Sequence, residues 1–241
     1  MMNSETVVAI KDLIFRWPRQ GAVCLDLPEL SLRRGEHAFL HGPSGCGKST
    51  LLSLIGGVLL PGNGRIELLG EDLGRLRSTQ RDRLRADHIG FVFQQFNLVP
   101  YLPVIDNVLL PCRFSARRRE RAQAGGASLR GEAERLLGHL DLARDLWRRP
   151  ATDLSVGQQQ RVAAARALIG HPELLIADEP TSALDAERQE AFLELLLREA
   201  NAAGSTVLFV SHDRRLASHF VRDLALPALN RASHGETACT I

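Results

Sequence analysis

Short runs of apolar residues recur along the chain, and turn-forming residues bound most of them. Runs of this length predict strands that are covered on both faces, as in a parallel sheet packed between helices. We expect strands at 6–15, 36–40, 65–69, 89–93, 174–177, 206–210 and 223–226. The pattern therefore predicts an α/β fold.

Helical patterns fall between several of these strands. An apolar helix is expected from Thr50 to about Val58, because the turn-forming run at 61–64 stops it. A second helix at 186–200 carries an apolar stripe and ends before Gly204. The first strand–loop–helix unit thus encloses a glycine-rich loop at 42–49.

The pattern changes between residues 97 and 157. Strand signals give way to charged helical segments, notably 131–140, which places leucines at helical spacing. The Ala- and Gly-rich stretch at 123–128 is expected to be a loop. We predict a mostly helical lobe at 97–157 inserted into the α/β core.

Composition and charge narrow the function classes. The chain has 241 residues, 44% of them hydrophobic and 24% charged, as is usual for one large globular domain. Its 30 basic and 28 acidic residues leave a net charge of +2, too balanced to support a nucleic-acid partner. The arginines at 117–119 and 121 cluster, and a solvated helix face is the expected explanation.

Cysteine spacing and hydropathy bear on the compartment. The four cysteines, at 24, 46, 112 and 239, form no pair with metal-ligand or disulfide-scaffold spacing, so a reduced cytosolic location is expected. Residues 1–10 lack the features of a secretory signal. The longest apolar run, 51–60, is about half of the ~20 residues that a spanning helix needs, so no membrane crossing is expected.

Residues Gly42 to Ser49 match G-x-x-x-x-G-K-[ST] in full, with a predicted strand before the loop and a helix after it. The glycines let successive backbone N–H groups face inward as an anion nest, and the helix start adds its positive dipole end. We expect Lys48 to reach the β- and γ-phosphates and the Ser49 hydroxyl to bind Mg²⁺. An accidental glycine-rich turn is disfavoured because both flanks are correct.

The apolar strand at 174–177 ends in two acids, Asp178 and Glu179. Partly buried carboxylates are costly unless positive charge lies nearby, and Mg²⁺ supplies it. Asp178 is expected to hold the metal through its water shell, and Glu179 to polarise the attacking water. Strands often end in acids, so this motif has weight only beside the phosphate loop.

A second anion-binding feature follows Leu154, where Ser155-Val156-Gly157-Gln158 begins an Ala-rich helix that runs to Ile169. Ser155 is a natural N-cap, and the close backbone at Gly157 leaves N–H groups free. The first loop already satisfies one ATP, so this helix start is expected to cap an ATP held by another chain. A plain capped helix is the alternative.

The sequence resembles an ATPase of the ABC transporter family, and the resemblance covers nearly the whole chain. The loop at 42–49, the signature segment 154–161 and the strand at 174–179 occur in the family's order and approximate spacing. The resemblance implies a P-loop NTPase (RecA-like) core with an antiparallel β subdomain and an inserted α-helical subdomain. It also implies one nucleotide-binding domain over residues 1–241.

Further positions take their roles from the family alone. The run Ser182-Ala183-Leu184-Asp185 resembles the D-loop, which touches the partner subunit. Gln94 resembles the Q-loop glutamine, which contacts Mg²⁺ and senses the transmembrane partner. His212 resembles the switch histidine that contacts the γ-phosphate. Trp17 aligns with the aromatic residue that stacks on adenine.

The implied site residues fall into three groups. The catalytic group is Glu179, His212, Lys48 and Gln94. ATP contacts are implied for Trp17, Gly42, Ser44, Gly45, Cys46, Gly47, Lys48, Ser49, Thr50, Gln94, Ser155, Gly157, Gln158 and Asp178. Mg²⁺ ligation is implied for Ser49, Gln94 and Asp178.

The chain departs from the family at Val156, where the signature usually has glycine. A β-branched residue restricts the backbone and adds bulk near the expected ATP. Because Ser155 and Gly157 are kept, activity is expected to survive. Trp147 is expected to pack in the helical lobe, and the histidines other than His212 are expected to be structural or exposed, without convergent partners.

The amino-acid sequence of residues 88–98 and 106–108 is most similar to that of the family group that serves lipoprotein release, macrolide export and FtsE-type cell division. The resemblance implies a homodimer that drives integral membrane permease subunits of the FtsX, MacB or LolC type, with a periplasmic adaptor as a further partner. It implies a cytoplasmic chain held at the inner face of the cell membrane through its permease. An importer ATPase and, less favoured, a soluble non-transport ABC ATPase are the alternatives.

Overall fold

The structure is a computed structural model that describes residues 5–18 and 21–232. The chain divides into two compact units, residues 1–85 with 208–241, and residues 86–207. Three positions of the sequence analysis lie outside the described residues: His234, Cys239 and residues 1–4, which belong to the segment expected to lack a secretory signal.

Nine strands and eight α-helices follow one another along the described residues. The strands are β1 (Thr6–Arg16), β2 (Val23–Arg33), β3 (His37–His41), β4 (Asn63–Leu68), β5 (Glu71–Asp72), β6 (Ile89–Val92), β7 (Leu174–Asp178), β8 (Thr206–Val210) and β9 (Arg222–Ala225). The helices are α1 (Lys48–Ile55), α2 (Ser78–His88), α3 (Val104–Phe114), α4 (Ala116–Ala122), α5 (Leu129–His139), α6 (Val156–Leu168), α7 (Ala186–Ala203) and α8 (Leu226–Leu229). Short 3-10 turns lie at Ala124–Gly126, Arg144–Leu146, Ala151–Asp153 and Arg214–His219.

An antiparallel sheet in the order β2-β1-β4-β5 forms much of the first unit. Ile10 of β1 lies opposite Leu30 of β2 on one side and Ile66 of β4 on the other. All three side chains are buried, so the paired positions supply one apolar face of the sheet. In the same unit, β3 and β9 pair in parallel, with Leu40 opposite Leu224.

The second unit contains the parallel pair β6–β7 and the helices that pack around it. Ile89 lies opposite Leu174 and Val92 opposite Ala177, and all four are buried. Helix α6 packs closely on β6, because a Cβ added at Gly90 would lie 2.2 Å from the carbonyl oxygen of Ala167. Together with the antiparallel sheet, these parallel pairs confirm the predicted α/β class.

Segment 97–157 contains helices α3, α4 and α5 and the beginning of α6, and its one described bridge joins Pro103 to Pro150. The loop expected at 123–128 contains the 3-10 turn Ala124–Gly126. Trp147 is buried and donates through Nε1 to Leu142 O at 3.0 Å, so its packing role is confirmed.

The structure also contains elements that the sequence pattern does not predict. Strand β2 has Pro28 within it and an irregular burial pattern, which hides its alternation. Helix α2 has no buried residue, so it lacks the apolar stripe by which a helix is recognised. The two-residue strand β5 is too short to give a pattern.

The arginine cluster of α4 is only partly a solvated face, which corrects the expectation, because Arg118 is buried while Arg117 and Arg119 are exposed. Arg118 is only 3% exposed, and its guanidinium donates to the carbonyl oxygens of Ile169 at 2.8 Å and Ala167 at 2.5 Å. Burial lowers the pKa of Arg118 to about 10. Arg117 and Arg121 bind the buried carboxylate of Glu173 at 2.7 and 2.9 Å. The cluster therefore ties α4 to the end of α6 and the start of β7.

Among the described residues, no helix is both long enough and apolar enough to cross a membrane.

Candidate functional site

The phosphate loop follows β3 directly and ends at the N-terminus of α1. Gly45 and Gly47 have φ values of 78° and 98°, which L side chains rarely adopt. A Cβ at Gly47 would also lie 2.8 Å from Leu25 Cδ2, and one at Gly42 would lie 2.7 Å from Cys46 Sγ. The chain itself therefore requires glycine at these positions.

Lys48 extends back over the loop that precedes it. Its Nζ donates to the carbonyl oxygens of Gly42 at 2.8 Å and Pro43 at 3.0 Å. The ammonium group thus lies within the curl of the loop, where its charge adds to that of the helix N-terminus. This arrangement concentrates positive potential inside the loop.

The other loop residues divide into exposed and packed side chains. Ser44 and Ser49 are exposed, whereas Cys46 and Thr50 are buried. Burial raises the pKa of the Cys46 thiol, which therefore stays neutral and acts as a packing group. Thr50 accepts a weak contact from Cys24 Sγ at 3.8 Å, which joins α1 to β2.

His212 lies at the same edge of the first unit as the phosphate loop. The Ser211 N–H donates to Leu40 O at 3.2 Å, so the chain leaves β8 beside the end of β3. His212 is exposed. The next residue, Asp213, begins the following 3-10 turn, and its hydrogen bond from Arg215 lowers its pKa.

Trp17 lies just after β1 and is half-buried. Its ring meets the edge of Phe15 with 5.2 Å between centroids. Within the described part of the chain, its buried Nε1 has no hydrogen-bond partner.

In the second unit, Gln94 and the two acids leave neighbouring strands at one edge. Because β6 and β7 are parallel and Val92 lies opposite Ala177, the segments that follow both strands begin side by side. Gln94 is exposed within a turn, and Asp178 and Glu179 are half-buried. Glu179 has a φ of 45°, an uncommon conformation that occurs often at functional sites.

The signature segment forms the N-terminus of α6. Ser155 accepts from the Gln158 N–H at 3.4 Å, and Gln158 Oε1 accepts from the Ser155 N–H at 2.9 Å, which makes a capping box. Val156 is 48% exposed. A Cβ at Gly157 would meet only Leu184 Cδ2, at an ordinary 3.7 Å. No described neighbour requires glycine at position 157.

The D-loop segment 182–185 lies between β7 and α7. Asp185 caps α7 by accepting from the Arg188 N–H at 3.0 Å. Gln189 Nε2 donates to the carbonyl oxygens of Thr181 at 3.2 Å and Leu184 at 3.0 Å. Thus the loop after Glu179 is fixed by the first turn of α7, and its Leu184 lies next to the position of Gly157.

Two groups of contacts near the site are missed by the sequence analysis. Arg166 of α6 donates to the backbone of the loop after Gln94, and its position in the otherwise buried, Ala-rich stripe of α6 was a usable signal. Asn107, fully buried on α3, accepts from the Val99 N–H through Oδ1 and donates to Val99 O through Nδ2. A buried asparagine gives no sequence signal of that kind.

The histidines have more partners than expected, which is a second correction. His41 Nε2 lies 3.0 Å from Asp223 Oδ1, and His139 Nδ1 lies 2.9 Å from Glu199 Oε1. His88 Nδ1 lies 2.9 Å from Glu173 Oε2. Burial alone would raise the pKa of Glu173, but the hydrogen bonds from His88 and Arg117 lower it to about 2.

The expected Mg²⁺ ligands are the hydroxyl of Ser49, the amide of Gln94 and the carboxylate of Asp178. All three offer oxygen atoms, which Mg²⁺ prefers, and one carboxylate with phosphate oxygens and water is a usual set for this ion. The described residues contain no cluster of three His, Cys, Asp or Glu side chains that could hold a metal. Donors of these kinds suit Mg²⁺ that takes its remaining ligands from phosphate oxygens and water.

The loop geometry and the parallel α/β core define a P-loop nucleotide hydrolase. Residues 25–182, about two thirds of the chain, match the family described as ABC transporter. The chain therefore belongs to the ABC transporter family and is one of its ATPase cassettes.

Individual relatives agree with this assignment. The chain is 42% identical over 228 residues to the lipoprotein-releasing system ATP-binding protein LolD of Novosphingobium aromaticivorans, covering 92% of this chain and 97% of that protein. It is 39% identical over 224 residues to the macrolide export ATP-binding/permease protein MacB of Chromobacterium violaceum. That match covers 87% of this chain but only 33% of MacB, so the chain spans a third of that relative's length.

A solved structure shares the fold over nearly the whole chain. The dimeric structure of MJ0796, a bacterial ABC transporter cassette, superposes with a TM-score of 0.78 at 34% identity. The alignment covers 90% of this chain and 93% of that one. The antiparallel sheet and the parallel strands thus belong to the cassette fold.

Proposed function

We propose that two copies of this chain clasp two ATP molecules between them, and that the dimer drives a membrane permease of the MacB, LolC or FtsX type. Each ATP is held by the phosphate loop of one copy and by the signature segment of the other. The chain works at the cytoplasmic face of the membrane, where the permease holds it.

The observation that carries this proposal is the contrast at two glycines. Gly47 is required by its own chain, because its φ and Leu25 exclude a side chain. Gly157 has room for a Cβ, although it lies at an exposed, capped helix N-terminus suited to an anion. A glycine that its own chain does not need is explained when another molecule approaches the backbone closely.

Each residue then has one task in hydrolysis. Lys48 and the loop N–H groups hold the β- and γ-phosphates, and Ser155 with the Gly157 N–H completes the γ-phosphate shell from the other copy. Glu179 accepts a proton from the water that attacks the γ-phosphorus, while ADP leaves as its bond to phosphate breaks. His212 orients the γ-phosphate. Bound Mg²⁺, held by Ser49, Gln94 and Asp178, would neutralise phosphate charge.

The permease assignment rests on sequence similarity and on exposed apolar residues. The relatives include a lipoprotein-releasing system ATP-binding protein and a macrolide export ATP-binding/permease protein. Phe93, Tyr101 and Phe114, in the second unit, are 39%, 78% and 78% exposed. Exposed aromatic residues of this kind are typical of partner surfaces. Co-purification with a membrane protein, and the topology of that protein, would separate this class from importers.

The decisive variant is Glu179→Gln. It keeps the size of the side chain but removes the base, so turnover should fall by about 10²–10⁴-fold while ATP binding remains. ATP should therefore trap the variant as a dimer, measured by light scattering after gel filtration. Glu190→Gln, an exposed change on α7, is the matched control and should behave as wild type.

A Glu179→Gln protein that turns over ATP near the wild-type rate would contradict the role of the base. A protein that binds ATP but stays monomeric would contradict the shared sites and leave the base assignment intact.

A further inference from the structure

Arg166 lies in the last turn of α6, and its side chain leaves the helix toward the loop after β6. Its Nη1 donates to Asn97 O at 2.6 Å and its Nη2 to Phe96 O at 2.5 Å. Burial lowers the pKa of this guanidinium. Two adjacent carbonyl oxygens on one planar guanidinium fix both the position and the orientation of the loop.

The backbone that Arg166 binds is strained and belongs to the turn that contains Gln94. Phe96 and Asn97 have φ values of 57° and 49°, a left-handed conformation that is rare for a bulky residue such as phenylalanine and more common for asparagine. The turn closes through Phe96 N–H, which donates to Phe93 O at 2.9 Å. The guanidinium therefore stabilises the conformation in which Gln94 is presented.

The other end of the same helix is the signature segment. Ser155 precedes Arg166 by eleven residues, which is about 16 Å along a helix axis. Helix α6 is uninterrupted between them, from Val156 to Leu168, and seven of its residues are buried. A displacement of its N-terminus therefore moves Arg166 and the loop bound to it.

We propose that Arg166 is a positioning residue that couples the two ATP sites of the dimer. When Ser155 and Gly157 engage the ATP held by the partner copy, α6 shifts, and Arg166 moves Gln94 in its own copy into place at its own ATP. This inference rests on the proposed shared sites. It adds a route by which occupancy of one site is felt at the other.

The test is Arg166→Lys, which keeps the positive charge but cannot bind two adjacent carbonyl groups in a fixed plane. We expect the Mg²⁺ concentration for half-maximal ATPase activity to rise about five- to tenfold, and the Hill coefficient for ATP to fall toward 1. The matched control is Arg118→Lys, because Arg118 is likewise an arginine that binds backbone carbonyl groups at the end of α6. It should lower Tm while keeping the wild-type Mg²⁺ midpoint and Hill coefficient.

Hydrogen exchange gives a second readout that does not depend on turnover. In the wild-type protein, MgATP should protect the amides of residues 93–97 and 156–159 together. In Arg166→Lys it should protect only 156–159. If Arg166→Lys does not fold, Arg166→Gln replaces it, because this variant removes the charge altogether. The hydrogen-exchange experiment on the wild-type protein tests the coupling independently of either variant.

The proposal is overturned if Arg166→Lys loses Tm as the control does but keeps both kinetic parameters, or if MgATP protects 156–159 in the wild type without affecting 93–97. Failure of the proposed function gives a different result. The wild-type protein itself would then remain monomeric with MgATP, or its ATPase rate would equal that of Glu179→Gln.

Discussion

The phosphate loop and the signature segment are both helix N-termini suited to an anion, yet they are built differently. The phosphate loop is shaped from within, by positive φ at Gly47, by the contact with Leu25 and by Lys48 bound to loop carbonyl groups. The signature segment is an ordinary capped helix start with room around Gly157. The difference teaches that a glycine can be required by the fold or by a molecule outside it, and the contacts distinguish the two cases.

Mixing two inactive variants is the strongest test of whether the phosphate loop and the signature segment that hold one ATP come from different copies. Lys48→Ala and Gly157→Ala should each lower ATPase turnover by about 10²–10³-fold, because each removes or displaces donors to the γ-phosphate. In a mixed dimer, one site receives both defects and the other receives neither. Half of the dimers then have one intact site of two, so ATPase activity of the mixture should rise far above that of either protein alone, to at most about a quarter of the wild-type value. The coupling proposed for Arg166 lowers the recovery below that quarter, because the copy with the intact phosphate loop carries the defective signature segment.

Each protein alone, at the same total concentration, is the control for the mixing experiment. A mixture no more active than its components would indicate that loop and signature of one copy serve the same ATP.

Stability measurements sharpen the same contrast. Gly47→Ala forces alanine to a φ of 98° and against Leu25, so we expect a loss of about 2–4 kcal/mol and a Tm lower by roughly 5–10 °C. Gly157→Ala lies in the first turn of α6 without a clash. Because alanine has a higher helix propensity than glycine, by about 0.5–1 kcal/mol, the variant should keep or slightly raise the wild-type Tm. Calorimetry of both proteins without nucleotide checks this, and equal losses of Tm would remove the distinction.

The smallest expected effect is that of Val156→Gly. Val156 is 48% exposed beside the capping box, and the groups expected to contact phosphate are its neighbours Ser155 and Gly157. We therefore expect turnover within about tenfold of wild type. Steady-state ATPase assays measure it, and an increase by orders of magnitude would mean that valine has made this a degenerate site.

The sequence predicts those parts of the molecule whose physics is local. Strands β3, β7 and β8 are largely apolar runs, and the loop after β3 has the spacing typical of a phosphate-binding loop. Helix α2 escapes prediction because it buries no residue, and β2 because Pro28 interrupts its alternation. Pattern methods detect burial, so an exposed helix is hard to find.

Long-range polar contacts escape for a different reason. Arg118 is buried and Arg166 is partly buried, and each is stabilised there by carbonyl groups about 50 to 70 positions away in the sequence. Composition assigns such residues to the surface. The roles of Gln94, Asp178 and His212 came from the family resemblance and stay predictions that the experiments above test.

The contact between Pro227 and the phosphate loop has a consequence for how this protein can be engineered. Pro227 packs against Gly42, while Asn230 donates to Cys24 O and accepts from the Asp26 N–H on β2, the strand that also supplies Leu25. Helix α8 and the residues that follow it as far as Asn230 thus pack behind the ATP-binding loop. Trimming the chain back to Ala225 would loosen that loop from behind, although none of the deleted side chains is assigned to the nucleotide.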